Sequence, residues 1–308
     1  MRLDPAIDRR TARFAERHFG FFTPDEAYGF GHTPDSLRTR RRHGVYEWHA
    51  PGVLRVAGAP RSWQGDTYAA VRAGPPGTAA SSLTACALFG AGTPSLLPHI
   101  AVPRGSNARI PKARVHQSTI AAIDRTRIGV IPVTAPARSL IDAAATVGRD
   151  QLCEKVDAML TAGLTTHDGI VAAVRRIAPV PGRKGVPALL SALEVWAPGL
   201  THDSVAEARL FRLLRQWGFP TPAALYPIRD RTGTVVCEAD AAWPALLVAL
   251  DYDSARHHGP RRDEVDERRH AAAEALGWTF VSVDKLDLRP GGQARFRAEV
   301  GRLLRRAA

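Results

Sequence analysis

The apolar positions at the front of the chain recur at helical spacing. In "IDRRTARFAERHFG" Ile7, Phe14 and Phe19 share one side of a helix, Arg and Glu fill the rest, and Gly20 ends the run. Two shorter helices follow, one after Thr23 in "TPDEAYGFG" and one after Thr33 in "TPDSLRTRRRHG". Each starts with a Thr N-cap, Pro at the first helical position and an acid in the first turn. The segment "VYEWHAPGVLRVAG" then alternates as a hairpin turning at Pro51-Gly52. Helix, glycine turn, helix and hairpin predict a winged helix-turn-helix over residues 1–60.

Residues 61–197 read as an α+β middle region. "TYAAVRAGPPGTAASSLTACALFGA" gives two helices broken at Gly74-Pro75-Pro76-Gly77, and "HIAVPR", "ARVHQS" and "IGVIPVT" give short strands. Helices follow in "PVTAPARSLIDAA", with Thr134 as the expected cap, then in "RDQLCEKVDAMLTAG", "THDGIVAAVRRI" and "ALLSALEVW". His99, His116 and His167 are scattered through this region and carry no assigned chemistry. After "APGLTHDS" the pattern changes to an α/β plan over 198–308: the helix "SVAEARLFRLLRQWG", the strands "AALYPI", "TVVCEADAAW" and "ALLVALDYD", the helix "DEVDERRHAAAEALG" and the strand "WTFVSVD".

Composition narrows the function classes. The 308 residues carry 42 Lys+Arg against 30 Asp+Glu, a formal charge of +12, which favours a polyanionic partner, with nucleic acid ahead of an anionic membrane. Cys86, Cys153 and Cys237 are odd in number and lie in apolar sequence, as expected for reduced thiols in a cytoplasmic protein. No CxxC pair occurs, which argues against a structural zinc site. The longest apolar run, "AAWPALLVAL", is too short to span a bilayer, so a soluble protein without membrane contact is expected.

Two sets of residues carry candidate chemistry. Arg38, Arg40, Arg41, Arg42 and His43 crowd the second helix of the helix-turn-helix pair, where guanidinium groups fork onto guanine edges and hold phosphates. The plain alternative is a solvated helix end whose cations complement the dipole. The second set is acidic. Glu207 falls on the stripe of Leu210, Leu214 and Trp217, although Ser204 and Glu207 also form an S-x-x-E capping box. Glu238 and Asp240 share one face of their strand, Asp251 and Asp253 share a face of the next, and strand register across Trp243-Pro244 brings Asp240 near Asp251. Carboxylates meeting in a half-buried place repel one another unless a cation intervenes, and oxygen donors select Mg²⁺ or Mn²⁺. A solvated hairpin edge is the competing account. His257 or His258 stands just beyond the strand as a general base or phosphate ligand.

Residues 204–290, with Glu207, Asp240 in "EADAAW", Asp253 and His257 or His258 in "LDYDSARHH", and Asp266, Arg268 and Arg269 before "LGWTF", resemble the very-short-patch-repair-like (Vsr-like) endonuclease domain of the PD-(D/E)XK superfamily. The resemblance implies a restriction-endonuclease-like α/β fold, a metal held by Asp240 and the acid at 251, Asp253 where the superfamily often has Lys, and Arg268 steadying phosphate. Asp251 stands where the family usually has Glu, and Ser254 where it has Gly. Residues 17–175, through "RHGVYEWHAPGVLRVAG", "SSLTACALFGA" and "GVIPVTAPARSLIDAA", are similar to AbiEi-type antitoxins of toxin-antitoxin systems, which implies DNA-binding autorepression and a cognate toxin as partner. The expectation is a multidomain protein of α/β and α+β class. It binds DNA and hydrolyses phosphodiester bonds with Mg²⁺, or else is an antitoxin-like repressor whose nuclease fold is degenerate.

Overall fold

Local capping chemistry fixes the first elements: α1 (Pro5–Glu16), β1 (Phe21–Phe22), α2 (Pro24–Gly29), α3 (Pro34–Arg42), β2 (Tyr46–Ala50) and β3 (Val53–Val56). Thr23 Oγ1 accepts the Glu26 N–H at 3.3 Å while the Glu26 carboxylate accepts the Thr23 N–H at 2.8 Å. Thr33 and Ser36 make the same reciprocal pair at 3.1 and 2.9 Å, so both helices begin on satisfied donors. The structure, a computed structural model, describes residues 5–177, 184–196, 205–252, 268–284, 286–288 and 290–307. The chain divides into two compact units, Met1–Met159 with Gly163–Ser191, and Leu160–Ala162 with Ala192–Ala308. The junction expected near residue 60 therefore lies within the first unit.

The physical reason is visible in a three-stranded antiparallel sheet of order β1-β3-β2, turned at Gly52 with φ +70°. Period-two alternation sends Phe22 and Leu54 into a core with Ala15, Ala27, Leu37 and Tyr46. Their neighbours Phe21 and Val53 enter a second core with Tyr68, Ile100, Ile131 and Val133. One small sheet thus serves both halves of the unit.

The rest of the first unit contains α4 (Trp63–Arg72), β4 (Ala79–Ala80), α5 (Ser82–Leu88), β5 (His99–Val102), β6 (Arg114–Gln117), β7 (Arg125–Ile128), β8 (Ile131–Thr134), α6 (Pro136–Ala143), α7 (Arg149–Thr161), α8 (His167–Ile177) and α9 (Val186–Leu193). The strands form a mixed sheet of order β6-β5-β4-β8-β7. Strands β4 and β7 were not expected; one has two residues, and the other, "RTRI", is a polar edge strand without an apolar signature. Thr134 is not the cap of α6. It is buried at the end of β8, Ala135 occupies the cap position, and the Thr134 hydroxyl meets Ser139 Oγ at 2.7 Å.

The second unit contains α10 (Val205–Gln216), β9 (Ala223–Arg229), β10 (Val235–Trp243), β11 (Val248–Tyr252), a helix whose described part spans 268–274 (α11), β12 (Thr279–Val283) and α12 (Pro290–Ala307). Its four-stranded sheet runs β12-β11-β10-β9, antiparallel except for the parallel β11/β12 pair. Ala273 of α11 packs with Ala242 and Ala249, and α12 packs on β11. Trp217 meets Phe296 edge-on at 5.7 Å, which ties the end of α10 to α12. The molecule is of mixed α/β class. Among the described residues no helix is long and apolar enough to cross a membrane.

Candidate functional site

The sheet of the second unit builds the acidic site. Strand β10 pairs with β11 as Trp243↔Val248, Ala242↔Ala249 and Ala241↔Leu250, and one further step sets Asp240 opposite Asp251. Directly opposed residues of an antiparallel pair point to the same face. The two carboxylates are woven into the backbone there: Asp251 Oδ1 accepts the Asp240 N–H at 3.3 Å, and Asp240 Oδ2 accepts the Tyr252 N–H at 2.6 Å. On its other side β10 pairs Ala239 with Tyr226 and Ala241 with Ala224, so Asp240 faces Leu225, a non-glycine residue at φ +46°. Left-handed backbone of this kind is costly for a branched side chain and clusters at functional positions.

Two residues without an assigned role complete the site. His270 of α11 stacks on Phe280 at 4.5 Å between ring centroids, and its Nε2 is hydrogen-bonded to Asp251 Oδ2. Cys237 Sγ, a carboxylate oxygen of Asp251 and a ring nitrogen of His270 lie within 4.8 Å of one another. Strict alternation counted from Asp240 would turn Cys237 to the far face; the register break of β10 falls before it, between Val235 and Cys237, and Sγ nevertheless lies beside Asp251.

Glu207 is 8% exposed on the same buried side of α10 as Leu210 and Leu214. Glu238 is exposed, and so is Arg268 at the start of the described part of α11. Asp253, His257 and His258, together with Ser204 and Asp266, lie outside the described residues.

On the first unit, the arginine run of α3 splits by helical phase. Arg38, Arg41 and Arg42 are exposed and line a concave face with Tyr46, Glu47 and Trp48 of β2. The Arg41 guanidinium lies 4.9 Å from the centroid of the Trp48 ring, which is itself 47% exposed. Arg38 pairs with Asp35 at 2.7 Å in the solvent. Arg40 is the exception to the DNA-contact expectation. It lies on the Ser36 and Leu37 side of the helix at 2% exposure, and its guanidinium clasps the Asp8 carboxylate, with Nη2 to Oδ2 at 3.0 Å. Burial alone would raise the Asp8 carboxyl, but hydrogen bonds from Arg40 and Tyr46 outweigh it and hold the group below its usual range. Burial and the same carboxylate push the Tyr46 phenol up to about 12, so it stays a donor to Asp8 at 3.0 Å.

A polar cleft of about 230 Å³ in the first unit is lined by Ser81, Ser82, Arg104, His116, Ser118 and Asp142, among others. Ser82 is held at φ +50°, and its hydroxyl contacts the Asp142 carbonyl at 3.3 Å. His116 Nε2 lies 3.3 Å from His99 Nδ1; burial, then the neighbouring imidazole, lowers His99 to about 4. Each of these histidines is unremarkable in sequence, and only β5/β6 pairing, which sets Ala101 beside His116, brings them together.

No protein-family profile matches the chain. Two uncharacterized proteins of Mycobacterium tuberculosis, MT2308 of strain CDC 1551 / Oshkosh and Rv2248 of strain ATCC 25618 / H37Rv, are each 31% identical to it over 229 residues, covering 73% of this chain and 80% of the relative.

Proposed function

For this chain, which belongs to the same family as those two mycobacterial proteins, we propose a DNA-binding protein whose second unit hydrolyses phosphodiester bonds with a divalent cation. The observation that carries the reading is the opposition of Asp240 and Asp251 on adjacent strands. In the first unit the order α1-β1-α2-α3-β2-β3 is read as a winged helix, with α3 as the recognition helix and the β2–β3 hairpin as the wing. Arg38, Arg41 and Arg42 then hold phosphates or base edges, and Trp48 offers a flat apolar surface beside them. Arg40 is assigned no DNA contact, because it braces α3 through Asp8.

In the second unit Asp240 and Asp251 are the residues that would hold the cation. Two carboxylates suit a hard ion such as Mg²⁺ or Mn²⁺ in part, although the imidazole and thiol beside Asp251 are softer donors. A bound divalent ion supplies a polarised phosphoryl oxygen and an acidified water. The chain's own residues orient: His270, locked on Phe280, fixes the direction of the Asp251 carboxylate, and the Tyr252 N–H fixes Asp240. Arg268 provides a positive charge for phosphate at the exposed start of the described part of α11. The roles given by resemblance to Asp253 and to His257 or His258 stay within this proposal.

Plasmid incubated with the purified chain in Mg²⁺ or Mn²⁺, beside Asp240→Ala, tests the reading. Metal-dependent nicking lost in the variant is expected; equal nicking by both proteins, or none by either, removes the hydrolase. One observation favours a second reading, an AbiEi-type repressor with a degenerate nuclease fold and a cognate toxin as partner. The hydrogen bonds from His270 and Tyr252 already satisfy oxygens of both acids without a metal. That reading expects DNA retention on a gel, unchanged by Asp240→Ala, and no cutting.

A further inference from the structure

We propose that Cys237, Asp251 and His270 form a site for a thiophilic divalent cation of the zinc class. The inference rests on reading Asp251 as a metal ligand, and it requires neither DNA nor cleavage. The donors come from three elements, β10, β11 and α11, so no CxxC-type spacing announces them. A thiolate, an imidazole and a carboxylate form a mixed set that Zn²⁺ accepts and Mg²⁺ does not, since Mg²⁺ keeps octahedral oxygen coordination and most of its waters.

The geometry is near that of a closed site. Bonds of about 2.0–2.3 Å put tetrahedral ligand atoms roughly 3.2–3.8 Å apart. The present set spans at most 4.8 Å, so side-chain rotation of about an ångström closes it. An ion entering there takes the place of the contact between His270 and Asp251. One thiolate and one carboxylate neutralise a divalent charge, the imidazole binds in its neutral form, and the thiol proton leaves to solvent.

The surroundings support the donors from both sides. Phe280 holds the His270 ring, and the Asp240 N–H holds the second oxygen of Asp251. Cys237 is buried against Ile228, Ala239, Ala242 and Ala249, which makes a dry back wall. The Asp251 and His270 side chains keep about a quarter of their surface open, at 24% and 26%, which gives an ion its way in and leaves the fourth position to Asp240 or water. The competing account is a core cysteine beside a hydrogen-bonded Asp–His pair.

Cobalt titration of the metal-free full chain, without DNA, decides between them. Stoichiometric Co²⁺ is expected to give a thiolate-to-cobalt charge-transfer band with intense tetrahedral d–d absorption. Zn²⁺ should bleach it, and a large excess of Mg²⁺ should leave it unchanged. Cys237→Ser should abolish the band, whereas Cys86→Ser and Cys153→Ser should keep it. His270→Gln, at a partly exposed position that spares the core, should weaken binding by roughly tenfold or more. No band in the wild type, or a band that survives Cys237→Ser, overturns the proposal. Nicking without a cobalt band would leave the hydrolase standing on carboxylates alone and remove this site; a band without nicking would keep the site and remove the hydrolase.

Discussion

Each unit gathers charge in a partly closed place, and the two solutions differ. In the first unit Arg138 is the centre of a completed lattice: Nε donates to both oxygens of Asp142 at 3.0 Å, Nη1 to the Thr119 carbonyl at 3.2 Å, and Nη2 to Ser118. Asp124, 3.7 Å from the same guanidinium, takes a second cation from Arg176. In the second unit Asp251 meets an imidazole and a backbone amide, and Asp240 meets another amide. A guanidinium fork set between carboxylates satisfies them permanently. Backbone amides and an imidazole orient carboxylates while carrying less fixed charge than a guanidinium. The first cluster ties α6 to the segment between β6 and β7 and to α8; the second has the makings of a site.

Removing the lattice should cost most. Arg138→Met takes the guanidinium away from Asp142 and from buried Asp124, which retains Arg176, and is expected to destabilise the first unit by about 3–5 kcal/mol, read from urea unfolding. A loss below about 1 kcal/mol would put this cluster in the same class as Asp251. Arg40→Met should cost less, about 2 kcal/mol, because Asp8 is partly open to water and screened. Here pH supplies a second readout. The folded Asp8 carboxyl titrates below its unfolded value of about 3.9, so its stabilisation is present above that value and lost as pH falls through the folded one. The gap between wild type and Arg40→Met should therefore narrow in acid. Asp251→Asn should lie at the low end, within about 1 kcal/mol, since Asp251 and its partner His270 are each about a quarter exposed, at 24% and 26%, and screened by water.

What the chain disclosed in advance was local or short in range. The Thr23 and Thr33 caps, the Pro51-Gly52 turn and the burial of Glu207 follow from motifs a few residues long. The meeting of Asp240 and Asp251 follows from a short connection that fixes register across ten intervening residues. Arg40 was legible too, had phase been weighed above composition: it stands three and four residues from Leu37 and Ser36, so it turns inward while Arg41 turns out. His270 and Cys237 were not legible. Their meeting needs α11 laid across the sheet, which tertiary packing sets. The same holds for the His99–His116 pair.

The smallest effect on stability separates the two neighbouring arginines of α3. Arg41 is exposed and touches Trp48 through its ring face alone, so Arg41→Ala should move the unfolding free energy by no more than about 0.5 kcal/mol. Its consequence should appear in binding. If Arg41 neutralises one phosphate, the slope of log affinity against log salt falls by about 1 in the variant, on any duplex sequence. Arg41→Lys keeps the charge and so should keep the slope, while losing the planar stacking on Trp48 and any bidentate contact. An unchanged slope in Arg41→Ala would mean that this face meets no phosphate. The contrast between Arg40 and Arg41 would then be one of burial alone, and the basic character of the chain would need another outlet.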